Sequence, residues 1–170
     1  ISNLQSATAY QLYMRNVCSG ENSAWSKPFV FNTNCVAVIN APYRQTFDFV
    51  STPGQACIEL VSANTGTSYP YAEINDETGF FVSGYSLETY ASVNSPLFIV
   101  MPQLDIPVNE TYIEFYYRNE NTYDMYPDMV IGYMTDINDT TTFVACNTLG
   151  RTINMTKILY AFNNATATNG

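Results

Sequence analysis

The stretch "TYIEFYYR", residues 111–118, alternates without a slip. Ile113, Phe115 and Tyr117 fall on one side; Tyr112, Glu114, Tyr116 and Arg118 fall on the other. A period of two with one apolar side is a strand with one buried face. Its neighbours read the same way. Upstream stand "CIELV" (57–61), "YAEI" (71–74), "FFVSGYSLETYA" (80–91) and "LFIVMPQL" (97–104); downstream stand "DMVIGYMTD" (128–136), "TTFVACNTL" (141–149) and "TKILYAF" (156–162). Turn residues separate them every 8 to 15 positions, which predicts an all-β antiparallel sandwich rather than a helical domain.

Composition agrees. The chain has 170 residues, 46% hydrophobic and 12% charged, with 14 Tyr and 10 Phe. The charged share is about half that of an ordinary globular domain, and the aromatic, Thr-rich mix favours strands. "LFIVM" (97–101) is too short to span a bilayer. A net charge of −9 leaves nothing to neutralise a row of phosphates, so nucleic acid is not an expected partner. An acidic extracellular or cell-surface protein fits. The chain opens at "ISNLQSATAY" and stops at "NATATNG", which reads as a piece of a longer secreted or surface protein whose neighbouring domains are its partners.

Residues 10–34 read as a hairpin: "YQLYMRNV" goes out, "CSGENSA" turns, and "WSKPFVFNT" returns. Cys18 precedes the turn and Cys35 follows the return, roughly 25 Å away at about 3.3 Å per residue, too far to bridge. Of the four cysteines, Cys35–Cys57 is the favoured pair, with Cys18 and Cys146 as free buried thiols. Four free buried cysteines stand as the alternative. There is no histidine and no Cys-x-x-Cys, so a zinc site of the Cys/His type is not expected.

Residues 136–147 pose a sharper question: a metal loop or a turn? A calcium loop of the EF-hand type needs oxygen ligands at positions 1, 3, 5 and 12 and Gly at 6. Counting from Asp136, Asn138 suits position 3, but Thr140, Thr141 and Asn147 fail at 5, 6 and 12. Asp136 to Asp139 therefore read as a polar turn, in which Asp and Asn side chains bond their own backbone.

This stretch also carries a resemblance. "DMVIGYMTDINDTTTFVACNTL" (128–149), "APYRQTFDF" (41–49), "PGQAC" (53–57) and "LFIVMPQLDIPVNETYIEFYYR" (97–118) together resemble, in order, the MAM-like jelly-roll modules of the cleaved-adhesin or choice-of-anchor J type. These occur in large surface and secreted proteins of Bacteroidetes. The hairpin pattern "Y-x-L-x-M-R … W-S-x-P-F-x-F-x-T" resembles the last two strands of a fibronectin type III domain. The resemblance implies two parts. Residues 1–34 would be the C-terminal part of a fibronectin type III-like domain. Residues 35–170 would be a jelly-roll β-sandwich lacking its closing strand. One departure is Ile58, where the family usually has Trp.

The function implied is adhesion or carbohydrate binding by a non-catalytic module, to an extracellular glycan or a host or matrix protein. A purely structural spacer is the alternative. A glycan hydrolase is the least supported: His-dependent triads are excluded and no G-x-S-x-G or phosphate loop occurs. Its best carboxylates, Glu73, Asp76 and Glu77, sit in a strand-to-turn pattern where acids stay solvated.

No cofactor is required by this reading. The resemblance points to Asp48 as a residue contributing to a structural calcium site, with Asp76, Glu77 and Glu88 as further candidates by composition; the competing reading is a solvent-facing aspartate at a strand start. For the ligand, the loop tyrosines Tyr69, Tyr71, Tyr123 and Tyr126, with Asp124, combine flat apolar rings and hydrogen-bond acceptors. In the competing reading they fold back as a lid on the core. The sequons at Asn109, Asn138, Asn154 and Asn164 are of the number chance supplies in so Asn- and Thr-rich a chain.

Overall fold

The computed structural model describes residues 2–6, 8–62, 69–76, 84–120 and 127–163. Among them there are twelve strands, no α-helix, and 3-10 turns at Pro53–Ala56, Val108–Glu110 and Thr140–Thr142. The strands are β1 (Ala9–Leu12), β2 (Phe29–Asn32), β3 (Val38–Ile39), β4 (Glu59–Ser62), β5 (Tyr71–Asn75), β6 (Ser86–Tyr90), β7 (Leu97–Val100), β8 (Gln103–Leu104), β9 (Tyr112–Tyr117), β10 (Met129–Tyr133), β11 (Val144–Leu149) and β12 (Thr156–Ala161). The protein is all-β, with small sheets.

Pairing is two strands at a time. The antiparallel ladders are β1–β2, β4–β7, β5–β6, β9–β12 and β10–β11; β3 and β8 form a short parallel one. Two clusters gather their apolar faces. The first holds Val50, Ala56 and Ile58, with Phe47, Ile74, Leu87 and Ile99 packed on it. The second holds Ile131, Leu149 and Phe162, joined by Ile113, Phe115 and Tyr117 from β9, Met129 and Tyr133 from β10, and Ile158 and Tyr160 from β12. The alternation of residues 111–118 is thus an inward apolar row against an outward polar one. An edge-on contact of Phe98 in β7 with Phe143, ring centroids 5.3 Å apart, ties the two halves together.

Residues 134–143 link β10 to β11 as a polar turn. Asp136 Oδ1 accepts from the Asn138 backbone N–H at 2.9 Å, and Asp139 Oδ1 accepts from the Thr141 N–H at 3.0 Å and the Thr141 hydroxyl at 2.6 Å. The hydroxyl of Thr142 donates to the Asp139 and Asp136 carbonyls. These bonds, the Thr141 hydroxyl first, hold the Asp139 carboxyl below its ordinary value. Both acids are committed to their own backbone, as helix caps and Asx turns are. A bulge between Ile131 and Gly132 skips Cys146 in the β10–β11 register and turns it toward the second cluster.

Cys35 and Cys57, the favoured pair, are joined, with Cα atoms 5.6 Å apart, while Cys18 and Cys146 are free. Other expectations need correction. Neither free thiol is buried: Cys18 is exposed, because the hairpin around it has no facing layer among the described residues, and Cys146 is only half-buried. "CIELV" is not strand throughout. Cys57 takes a left-handed conformation closing the Pro53–Ala56 turn, and β4 starts at Glu59. The β1–β2 hairpin is also shorter than the alternation of residues 10–17 predicts, since Tyr13 and Met14 lie in the open. Ile58, the departure from the family pattern, is 2% exposed in the first cluster.

Candidate functional site

The β5–β6 ladder produces the most chemically distinct surface among the described residues. Its register sets Tyr71 opposite Tyr90, Glu73 opposite Glu88, and Asn75 opposite Ser86. Period two places these six on one face. The intervening Ile74 and Leu87 pack on the first cluster from the other side, so the six point away from the core. Tyr71 and Tyr90 stack with ring centroids 4.5 Å apart and planes 14° apart. Tyr71 remains 39% exposed and Tyr69, just before the strand, 38%.

The acids of this face are partly harnessed. Asn75 Nδ2 donates to Glu88 Oε2 at 2.5 Å. The Tyr90 hydroxyl also donates to Glu88. That bond is the main reason its pKa is pushed up to about 12, with desolvation and the charges of Glu88 and Glu73 adding to it. Ionising Tyr90 would set a phenolate against carboxylates. Glu73 has no ion-pair partner among the described residues.

The second feature is Asp48. It sits in the turn after Phe47, whose backbone is left-handed (φ 65°) and whose N–H donates to Gln45 Oε1 at 2.7 Å. Asp48 Oδ1 is enclosed without a hydrogen-bond partner. That is unusual, since a buried carboxylate oxygen left unbonded costs free energy. Two clefts meet here. One, about 120 Å³, runs under Arg44, Gln45 and Asn32. The other, broader, is lined by Ser51, Asp76, Ile74 and Tyr85. The half-buried Asp48 is not the solvent-facing residue of the competing reading.

On the side of the broader cleft the polar side chains are oxygen donors, Asp48, Ser51, Asp76 and Tyr85, and one orphaned carboxylate oxygen there fits a hard cation such as calcium, which takes six to eight oxygens; Arg44 lines the other cleft. Asp48 and Asp76 line the same cleft. No group of three or more His, Cys, Asp or Glu gathers among the described residues, so carbonyls and water would supply the other ligands. Glu88 is instead engaged on the β5–β6 face, and Glu77 lies outside the described residues.

The proposed ligand residues therefore separate. Tyr71 belongs to the sheet rather than a loop, and its partner is Tyr90, which sequence reasoning passed over. Tyr123, Asp124 and Tyr126 lie outside the described residues. One sequence signal could have revealed the face: "YAE" (71–73) and "ETY" (88–90) mirror one another in their outer residues, and an antiparallel hairpin sets such a pair Tyr on Tyr and Glu on Glu. No helix among the described residues is long and apolar enough to cross a membrane. Comparison with protein-family models, with curated proteins and with solved structures finds no match.

Proposed function

We propose that this chain is a non-catalytic adhesion module that binds carbohydrate on the Tyr71–Tyr90 face, as part of a secreted or surface-exposed multidomain bacterial protein. The observation that carries this reading is the stacked tyrosine pair, with Tyr71 exposed and Tyr90 half-buried behind it, bordered by the acceptors of Glu73 and Glu88. Sugars are recognised by an apolar ring face against an aromatic plane and by hydroxyls donating to fixed acceptors. The all-β ladders and the ordered motifs of residues 41–149 support a MAM-like jelly roll, with the β1–β2 hairpin as a fibronectin type III-like end. Calcium is proposed as a structural ion held by Asp48 and Asp76. It would neutralise the enclosed Asp48 oxygen and fix the turn beneath β5.

A glycan-array screen of the folded protein, run with calcium and again with chelator, tests both parts. The expected result is saturable binding to one sugar class, lost in Tyr71→Ala. Loss with chelator, reproduced by Asp48→Asn, supports the ion. A blank array in both conditions from a folded sample overturns carbohydrate binding in favour of a spacer or a protein-binding module.

A further inference from the structure

The tyrosine face carries more information than its flatness. Glu73 and Glu88 stand directly opposite one another, an arrangement that costs stability in an antiparallel ladder because the carboxylates repel. Glu88 shares its charge with Asn75 and the Tyr90 hydroxyl. Glu73 shares with nothing cationic among the described residues, where the charges of Lys157 and Arg151 go to Glu114 and Asp128 instead. Across the ladder the Cβ atoms of such a pair lie about 5 Å apart, so one compact cation fits between the two carboxylates. One step along the strands, about 7 Å on, lies the Tyr71–Tyr90 stack.

We infer that the ligand of this face is a glycan bearing a free, protonated amine, such as an oligomer of glucosamine. This rests on the carbohydrate-binding reading of the face and names its substrate class. The pyranose ring lies on Tyr71, and the ammonium sits between Glu73 and Glu88, donating to both. A neutral sugar leaves the two carboxylates facing each other unrelieved. A sialylated, sulfated or uronic sugar adds a third negative charge to a chain whose net charge is already −9. Charge complementarity of this kind gives specificity more than raw affinity, and it is screened by salt.

The test compares glucosamine oligomers with the same oligomers fully N-acetylated, by calorimetry on the intact chain, at low and at high salt. The amine form is expected to bind about five- to tenfold tighter, as one solvent-exposed ion pair or two would give. High salt and the double variant Glu73→Gln/Glu88→Gln should each remove that advantage. The double variant relieves a repulsion, and the amide oxygen it places at position 88 can still accept from Asn75 and Tyr90, so it should fold. Equal or tighter binding of the acetylated form overturns the inference while leaving the carbohydrate reading intact. Absence of binding to either, from folded protein, overturns both. A lysine-rich peptide binding as tightly as the amine oligomer, and competing with it, overturns the inference in favour of a basic polypeptide partner.

Discussion

The two ends of the molecule use the same β-pattern and come out differently. In the C-terminal part, β9–β12 and β10–β11 share one apolar cluster, with Ile131, Leu149 and Phe162 buried at its centre. In the N-terminal hairpin the strands pair in good register, Ala9 with Asn32 through Leu12 with Phe29, yet no residue of either strand is buried. Phe29 is 62% exposed and Trp25 59%. Backbone pairing alone makes a ladder; stability comes from a second layer to pack against. The hairpin is held instead by polar threads, such as Thr8 and Thr33 exchanging bonds and Asn32 Nδ2 donating to the Phe49 carbonyl at 2.8 Å.

That contrast can be broken most severely at Gly132. A Cβ there would lie 2.3 Å from the Val144 carbonyl oxygen and 2.5 Å from the Phe143 ring. Gly132→Ala should cost about 3 kcal/mol or more, because backbone must move beside the bulge; denaturant unfolding measures it. Ile131→Ala should cost about 3 kcal/mol by opening a cavity in the second cluster, whereas Phe29→Ala in the hairpin should change stability by less than about 0.5 kcal/mol. Similar losses at the two sites would contradict the comparison.

A smaller effect lies in the β10–β11 turn. Asp139→Ala should lower the midpoint of thermal unfolding slightly by removing the cap on Thr141, as a melting curve would show. Because the folded carboxyl is held below its ordinary value, its contribution is present above the ordinary carboxylate range and fades as pH falls through the folded value. The smallest effect is electrostatic and local. Tyr90, pushed up to about 12 chiefly by its bond to Glu88, should titrate nearer the ordinary tyrosine value in Glu88→Gln, read by ultraviolet difference absorbance at alkaline pH. In the parent, this group's support for the fold is complete below the ordinary tyrosine pKa and is lost as pH rises toward 12.

Legibility in the sequence followed the same divide. Residues 111–118 announce their buried face because polar and apolar residues alternate strictly. The turn at Asp136 to Asp139 was readable because its side chains act on their own backbone. What could not be read was register between distant strands. Nothing local says that β4 pairs with β7 or β9 with β12, and the mirrored "YAE" and "ETY" set Tyr90 on Tyr71 only once β5 and β6 are known to pair in that register, since a slip of one residue would send each side chain to the opposite face. Burial failed for a related reason. Cys18, Trp25 and Phe29 look like core residues by type, and only the absence of a facing layer among the described residues keeps them at the surface.

The most direct test of the central claim is a hydrogen-exchange footprint of the chain with and without the tightest-binding sugar. Added protection is expected in β5 and β6, residues 71–75 and 86–90, with the N-terminal hairpin and the β9–β12 ladder unchanged. Protection confined to the hairpin or to β9–β12, with β5 and β6 unaffected, would contradict it.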